Sequence, residues 1–136
     1  MRLFLVACAA ALAAAAVAWA ADLVTATLST SSTMPVADLS WRYTVAVQNE
    51  AGDPLAARVR LHVLRGTRLV GCLKGAAIVP CTRAEAGTSI AFRGSRSGRI
   101  VWSARWVGVR LTFRAVVVAG EQTLLLRAPV TVRPPP

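Results

Sequence analysis

Hydrophobic and polar residues alternate along most of the chain. The clearest run covers residues 41–47, and the same period of two recurs in 58–63, 109–117 and 124–132. The third run loses its polar positions after Arg114 and becomes wholly apolar. A period of two places successive side chains on opposite faces of a strand, as in antiparallel sheets with one buried and one solvated face. The sequence therefore predicts antiparallel sheet, and no segment after the N-terminal region has the pattern of an amphipathic helix.

Weaker strand patterns fill the gaps at 23–29, 68–72, 88–92 and 99–104. Glycine, proline and small polar residues separate these segments and indicate turns. Seven or eight short strands with turns every 8 to 12 residues are typical of a β-sandwich. We therefore predict one immunoglobulin-like β-sandwich domain over residues 21–133, followed by a proline-rich stub at 134–136.

The N-terminal residues have the pattern of an export signal. Arg2 supplies a positive charge, residues 3–17 are apolar, and Ala18-Trp19-Ala20 places small residues at the positions that signal peptidase inspects. We predict a signal peptide at 1–20, with cleavage before Ala21. The alternative is a retained anchor, but the apolar run is shorter than the roughly 20 residues of a membrane span. The predicted location is secreted or associated with the cell envelope.

Signal cleavage changes the number of cysteines. Cys8 follows Leu5-Val6-Ala7 in a segment that resembles a lipoprotein box, but too few residues precede it for a hydrophobic segment, so it is expected to leave with the signal. Cys72 and Cys81 remain in a chain sent to an oxidising compartment, which predicts one disulfide. The closed loop of ten residues would contribute about 2.7 kcal/mol. Metal binding is the weaker alternative, because His62 adds only a third ligand.

The segment TVAVQNEAGDPLAARVRL, residues 44–61, joins two alternating strands through a corner. Gly52 allows a positive φ there, and Pro54 fixes the chain as it leaves. The pattern V-x-V-x-N-x-x-G-x-P-L resembles the second-to-third strand corner of bacterial immunoglobulin-like domains, including those of the invasin and intimin type. The resemblance covers residues 39–65 well, although Gln48 and Asn49 stand where that family usually has Asp. It implies an immunoglobulin-like fold and an extracellular location, without implying adhesion.

Few residues could perform catalysis. His62, the only histidine, is in phase with Arg58 and Arg60 on the outer face of a predicted strand, so we expect a solvated side chain rather than a base beside a nucleophile. The acidic residues left after signal cleavage fall mostly in predicted turns and strand ends: Asp22, Asp38, Glu50, Asp53, Glu85 and Glu121. The sequence predicts no enzyme activity, no cofactor and no metal.

Two other features have alternative interpretations. The segment 94–98, with arginines on both sides, could bind a phosphate, but it lacks the spacing of a phosphate-binding loop and is predicted to be a mobile basic hairpin. Trp41 and Trp102 are in phase with the inner faces of their strands and are expected in the core. Trp106 stands at a predicted turn, where it either caps the sandwich or is exposed beside Arg105.

The chain is strongly basic, with a formal net charge of +10. Loss of Arg2 leaves 15 basic and 6 acidic side chains, a net charge of +9, although a GC-rich genome would also favour arginine. In an immunoglobulin-like order, the strand at 57–65 pairs with that at 109–118, which pairs with that at 123–132. The outward basic residues of these strands then share one face and form a candidate anion-binding site: Arg58, Arg60, Arg110, Arg114 and Arg127, with His62 beside them.

These observations predict a non-enzymatic structural or binding module at the cell surface or in the envelope. The alternative function is binding of a polyanion, such as a cell-wall polymer or nucleic acid, through the arginine-rich face. The candidate partners are therefore an anionic cell-wall polymer or another envelope protein.

Overall fold

A computed structural model describes residues 23–136 of the protein. The predicted signal peptide, its cleavage point and Cys8 lie outside the described residues. Residues 23–136 form nine strands and one short 3₁₀ turn, with no α-helix among them. In this described part of the chain, no helix has the length and apolar character needed to cross a membrane.

The strands alternate between buried and exposed side chains, as the period of two predicts. In chain order they are β1 (Val24–Thr30), β2 (Ser40–Asn49), β3 (Ala56–Arg65), β4 (Arg68–Lys74), β5 (Ala77–Pro80), β6 (Ile90–Arg93), β7 (Ser95–Val101), β8 (Arg110–Ala119) and β9 (Gln122–Thr131). The strand that the sequence pattern did not indicate is β5, which is short, ends in proline, and forms by pairing back onto β4 inside the cysteine loop.

The strands form two layers joined into one curled sheet. One layer has the order β1-β2-β7, and the other has the order β5-β4-β3-β8-β9, with β6 beside the first half of β3. A single parallel bridge between Ala77 and Val101 connects the layers, so the sheet curls almost into a barrel. The predicted pairing of β3 with β8, and of β8 with β9, is confirmed.

The segment 94–98 is mostly strand, so the prediction of a mobile basic hairpin is wrong. Only Gly94 bends, with φ of 76°, and its backbone bonds to Val47 and Leu55 hold the bend in place. Gly98 lies opposite Tyr43, and a Cβ built on Gly98 would collide with the tyrosine ring. A glycine inside a strand can mark a close approach as well as a turn, and here it makes room for a core aromatic side chain.

The segment between β2 and β3 is a rigid corner. The Asn49 Oδ1 atom accepts a hydrogen bond of 2.9 Å from the backbone N–H of Asp53, and Gly52 has φ of 88°. Gln48 and Pro54 form an isolated bridge that closes the corner. These contacts confirm that residues 49–54 are a structural corner. The Asn49 side chain accepts the hydrogen bond that a backbone carbonyl would accept in an ordinary turn.

The core is centred on aromatic rings. Trp41 and Trp102 point inward, as predicted, and their ring centroids are 5.5 Å apart; that of Phe113 is 5.1 Å from the Trp41 ring. Trp106 is also buried, in the 3₁₀ turn Ala104–Trp106, with the Arg105 guanidinium 5.2 Å from its ring centroid. Of the two alternatives for Trp106, the structure therefore shows the one in which it caps the sandwich.

Candidate anion-binding site

The candidate site is the outer face of β3, β8 and β9. The strand register places Arg58 opposite Val118, Arg60 opposite Val116, and Arg114 between His62 and Arg127. Four of the five predicted arginines therefore lie on adjoining positions of one face. We call these four residues the cationic cluster: Arg58, Arg60, Arg114 and Arg127.

Arg110 stands apart from the cationic cluster. It faces outward and pairs with Thr131, four residues from Arg114 on the same strand. At about 3.4 Å per residue, the two backbone positions are roughly 14 Å apart. Arg110 therefore belongs to the same face but not to the same local site.

Three outward hydrophobic residues separate the arginines, and the sequence analysis did not select them. Val116 lies opposite Leu125, and Val118 is the next outward residue of β8. We call Val116, Val118 and Leu125 the apolar strip. The sequence does contain a pattern that indicates the apolar strip, because β8 becomes wholly apolar after Arg114, at positions where the alternation requires polar residues.

His62 is fully buried, so the expectation of a solvated histidine is wrong. Its Nε2 atom is 3.3 Å from the Ala86 carbonyl oxygen, and its Nδ1 atom is 3.2 Å from a terminal nitrogen of Arg114. A neutral ring with the proton on Nε2 satisfies both contacts, since Nε2 then donates to Ala86 and Nδ1 accepts from the guanidinium. Burial lowers the pKa of His62; the hydrogen bond to the Ala86 carbonyl offsets part of this effect, and the charges of Arg114 and Arg60 lower the pKa further.

The loop at 81–89, here the covering loop, buries His62. The disulfide between Cys72 and Cys81 anchors its start, with the two Cα atoms 5.7 Å apart. Its end is held by a bond from Thr88 N–H to the Leu73 carbonyl and by a 3.0 Å bond from Arg58 Nε to Ser89 Oγ. Strand periodicity correctly placed His62 on the outer side of the sheet, but it carries no information about a loop that folds over that side.

Arg114 has unusual surroundings for an arginine. Its side chain is half-buried, and its Nε atom is buried without a hydrogen-bond partner. Burial lowers the pKa of Arg114, and Arg127 on the neighbouring strand lowers it further. Like charges directly opposite on adjacent strands are destabilising, and a buried donor without an acceptor has its own cost. An anion beside Arg114 would relieve the charge repulsion.

A groove of about 550 Å³ runs along this face. Its lining includes Arg58, Arg60, Arg114 and the apolar strip, together with Ala84, Glu85 and Ser89 from the covering loop. Glu85 is the acidic member of the lining. The volume falls within the range typical of small-molecule sites, about 300 to 1,000 Å³.

A larger groove of about 790 Å³ lies at the start of β4, and Arg65, Arg68, Arg105 and Trp106 contribute to its lining. These three arginines are exposed, so water can solvate their charges without a ligand. Arg114 is half-buried, faces a like charge and lacks an Nε partner. We therefore favour the smaller groove as the anion site, despite its size.

The remaining described arginines show that basic residues are not confined to one face. Arg42 and Arg99 lie opposite each other on the outer side of the other layer. Arg96 is in phase with the inner face of β7, and its Nε atom is buried without a partner. Within residues 23–136, no group of three or more His, Cys, Asp or Glu side chains is placed to hold a metal ion.

Comparisons with known proteins give information on the fold alone. No family model and no curated protein matches the chain. Among solved structures, the chain is similar to the CARDB domain of the PF1109 protein from Pyrococcus furiosus, whose crystal structure is described as a complex with di-metal ions. The match has a TM-score of 0.50 and 14% identity, and it covers 85% of this chain and 96% of that one. The likeness supports an all-β fold for this chain, and the matched region includes nearly the whole CARDB domain.

Proposed function

We propose that the protein is a non-enzymatic binding module, secreted or held at the cell envelope, that binds an anionic ligand through the outer face of β3, β8 and β9. The observation that carries this proposal is the position of Arg114, half-buried between His62 and Arg127. Without a ligand this arrangement costs stability, whereas with an anion it provides charge-assisted hydrogen bonds.

The proposed location is supported by the N-terminal sequence and by the disulfide. The charged start, the apolar run and the Ala-Trp-Ala segment fit an export signal, and disulfides persist mainly in oxidising compartments. The finer assignment to bacterial immunoglobulin-like domains, of the invasin and intimin type among them, also belongs to this proposal. It is supported by the corner at residues 49–54 and by the β3-β8-β9 pairing.

The absence of enzymatic activity is proposed from the state of His62. Both ring nitrogens are engaged, with Ala86 and Arg114, and the side chain does not reach solvent. A general base must come within hydrogen-bond reach of the proton that it removes. The metal ions named for the CARDB structure are not part of the proposal.

The test is binding to heparin, anionic wall polymer and duplex DNA across a salt series. Engagement of all four arginines of the cationic cluster by DNA would give a salt slope of about −3 to −4. The triple variant Arg58→Glu, Arg60→Glu, Arg127→Glu should bind at least tenfold more weakly than the wild type. Arg110→Glu alone should have a much smaller effect, because Arg110 lies outside the cluster.

The matched control is Arg42→Glu, Arg99→Glu, Arg133→Glu, which makes the same change in net charge with three exposed arginines away from the cationic cluster. Arg42 and Arg99 lie on the other layer, and Arg133 is six residues beyond Arg127 in the chain. Arg65, Arg68 and Arg96 are unsuitable as controls, because the first two line the larger groove and the third points inward. Thermal unfolding should first show that both triple variants fold. Equal weakening by the two variants would mean that binding depends on net charge and not on the face.

A further inference from the structure

The composition of the smaller groove narrows the ligand class. We infer that the groove binds an anionic amphiphile, with a phosphate or carboxylate head group on an alkyl chain. This inference rests on the proposed function, since it assumes that the face binds an anion. It adds that the apolar strip contributes to binding as much as the arginines do.

The apolar strip is the first part of the argument. Val118 is 42% exposed and Leu125 is 50% exposed, and both lie in the same groove as Val116. Single exposed hydrophobic residues are normal on protein surfaces, but a contiguous apolar patch with a polar rim marks a binding surface. Here the patch lies on a solvated face, at positions where the alternation places polar side chains. An alkyl chain on the strip would remove its apolar area from water.

The distribution of charge is the second part. The Arg58 guanidinium already donates to the hydroxyl and carbonyl oxygens of Ser89, so it is engaged beside the end of the strip near Val118. Beyond the other end of the strip, Arg114 precedes Val116 by two residues and pairs with Arg127. Arg60 lies opposite Val116 and completes this group of positive charges. The cations available to a ligand therefore gather at one end, and the apolar surface extends from them.

This asymmetry fits one head group better than a chain of charges. A hydrophilic polyanion bound along the groove would leave the apolar strip unpaired with any apolar partner. Glu85, in the lining, would repel a second negative charge, whereas one head group can be held by Arg60 and Arg114 in the lining, with Arg127 opposite Arg114 at the edge of the groove. Arginine is well suited to this role, because its planar fork of donors matches phosphate and carboxylate oxygens.

The test compares alkyl phosphates of six, eight and ten carbons, each below its micelle concentration, by titration calorimetry. Burial of each added methylene should increase affinity about threefold to fourfold until the strip is covered. Inorganic phosphate supplies the head without the chain, and decyl maltoside supplies the chain without the charge. Both should bind far more weakly than decyl phosphate.

The variant for the strip is Val118→Asn, Leu125→Asn, which should raise the Kd for decyl phosphate at least tenfold. Its control is Val101→Asn, Leu39→Asn, in which the replaced side chains are 42% and 55% exposed outside the groove. The control should bind decyl phosphate like the wild type. Equal losses in the two variants would overturn the inference.

The dependence of affinity on the length of the alkyl chain distinguishes the anion-binding function from the amphiphile inference. If heparin binds through the cationic cluster but alkyl phosphates gain nothing from longer chains, the anion-binding function stands and the amphiphile inference is wrong. If neither heparin nor any alkyl phosphate binds, both are wrong. Affinity that rises with chain length and falls on Arg60→Glu, Arg127→Glu substitution would support both.

Discussion

Acidification should destabilise this protein through one residue, His62. It is the single histidine of the chain, it is fully buried, and burial lowers its pKa below the ordinary value of about 6.5. The unfolded chain therefore takes up the proton first as the pH falls. The contribution of neutral His62 to the free energy of unfolding is fully present above a pH of about 6.5 and declines as the pH falls below that value. It stops declining once the pH is below the pKa of His62 in the folded state.

The magnitude follows from proton linkage. If His62 stays neutral in the folded protein, protonation of the unfolded chain at pH 5.5 lowers the free energy of unfolding by about 1.4 kcal/mol relative to neutral pH. The structural reason is that a protonated ring could no longer accept the hydrogen bond from Arg114, and would place a second charge beside it.

The assay is urea unfolding at pH 7.5, 6.5 and 5.5, followed by the fluorescence of the core tryptophans and extrapolated to water. His62→Gln is the control, because an amide can donate to Ala86 and accept from Arg114 but does not titrate. The wild type should lose up to about 1.4 kcal/mol across this range, and the variant should lose much less. The reasoning fails if the two proteins have the same pH dependence, or if the wild type becomes more stable at pH 5.5.

Two further predictions concern the cysteines and the core. The mass of the protein purified without reductant should rise by two hydrogen atoms on reduction, and reduction should lower the free energy of unfolding by about 2.7 kcal/mol; two freely alkylatable thiols before reduction would contradict this. Trp41→Ala should cost about 3 to 5 kcal/mol, because it removes a buried ring that contacts Trp102 and Phe113 and donates to the Ser32 carbonyl. Arg42→Ala, on the exposed side of the same strand, should change stability by no more than about 0.5 kcal/mol, and similar losses at the two positions would show that the register is wrong.

The strand pattern was predictable from the sequence because burial on one face of a sheet is a local property with a period of two. Trp41, Trp102 and Phe113 follow that period into the core, and the corner at 49–54 follows from residues that are neighbours in the chain. The cysteine pairing was predictable for a different reason, because the predicted loss of Cys8 with the N-terminal segment leaves only Cys72 and Cys81 to pair. In these cases the deciding interaction is either local or has no competing partner.

Tertiary structure decided the features that depend on what lies opposite a residue. Gly98 looked like a turn residue but makes room for the Tyr43 ring on the neighbouring strand. His62 has the phase of a solvated residue but is buried by the covering loop, whose contacting residue Ala86 is 24 residues away in sequence. The register separates Arg110 from the other arginines and places Val116, Val118 and Leu125 in one groove with them. Periodicity specifies the face on which a side chain lies, whereas packing between distant segments determines its neighbours on that face and whether water reaches it.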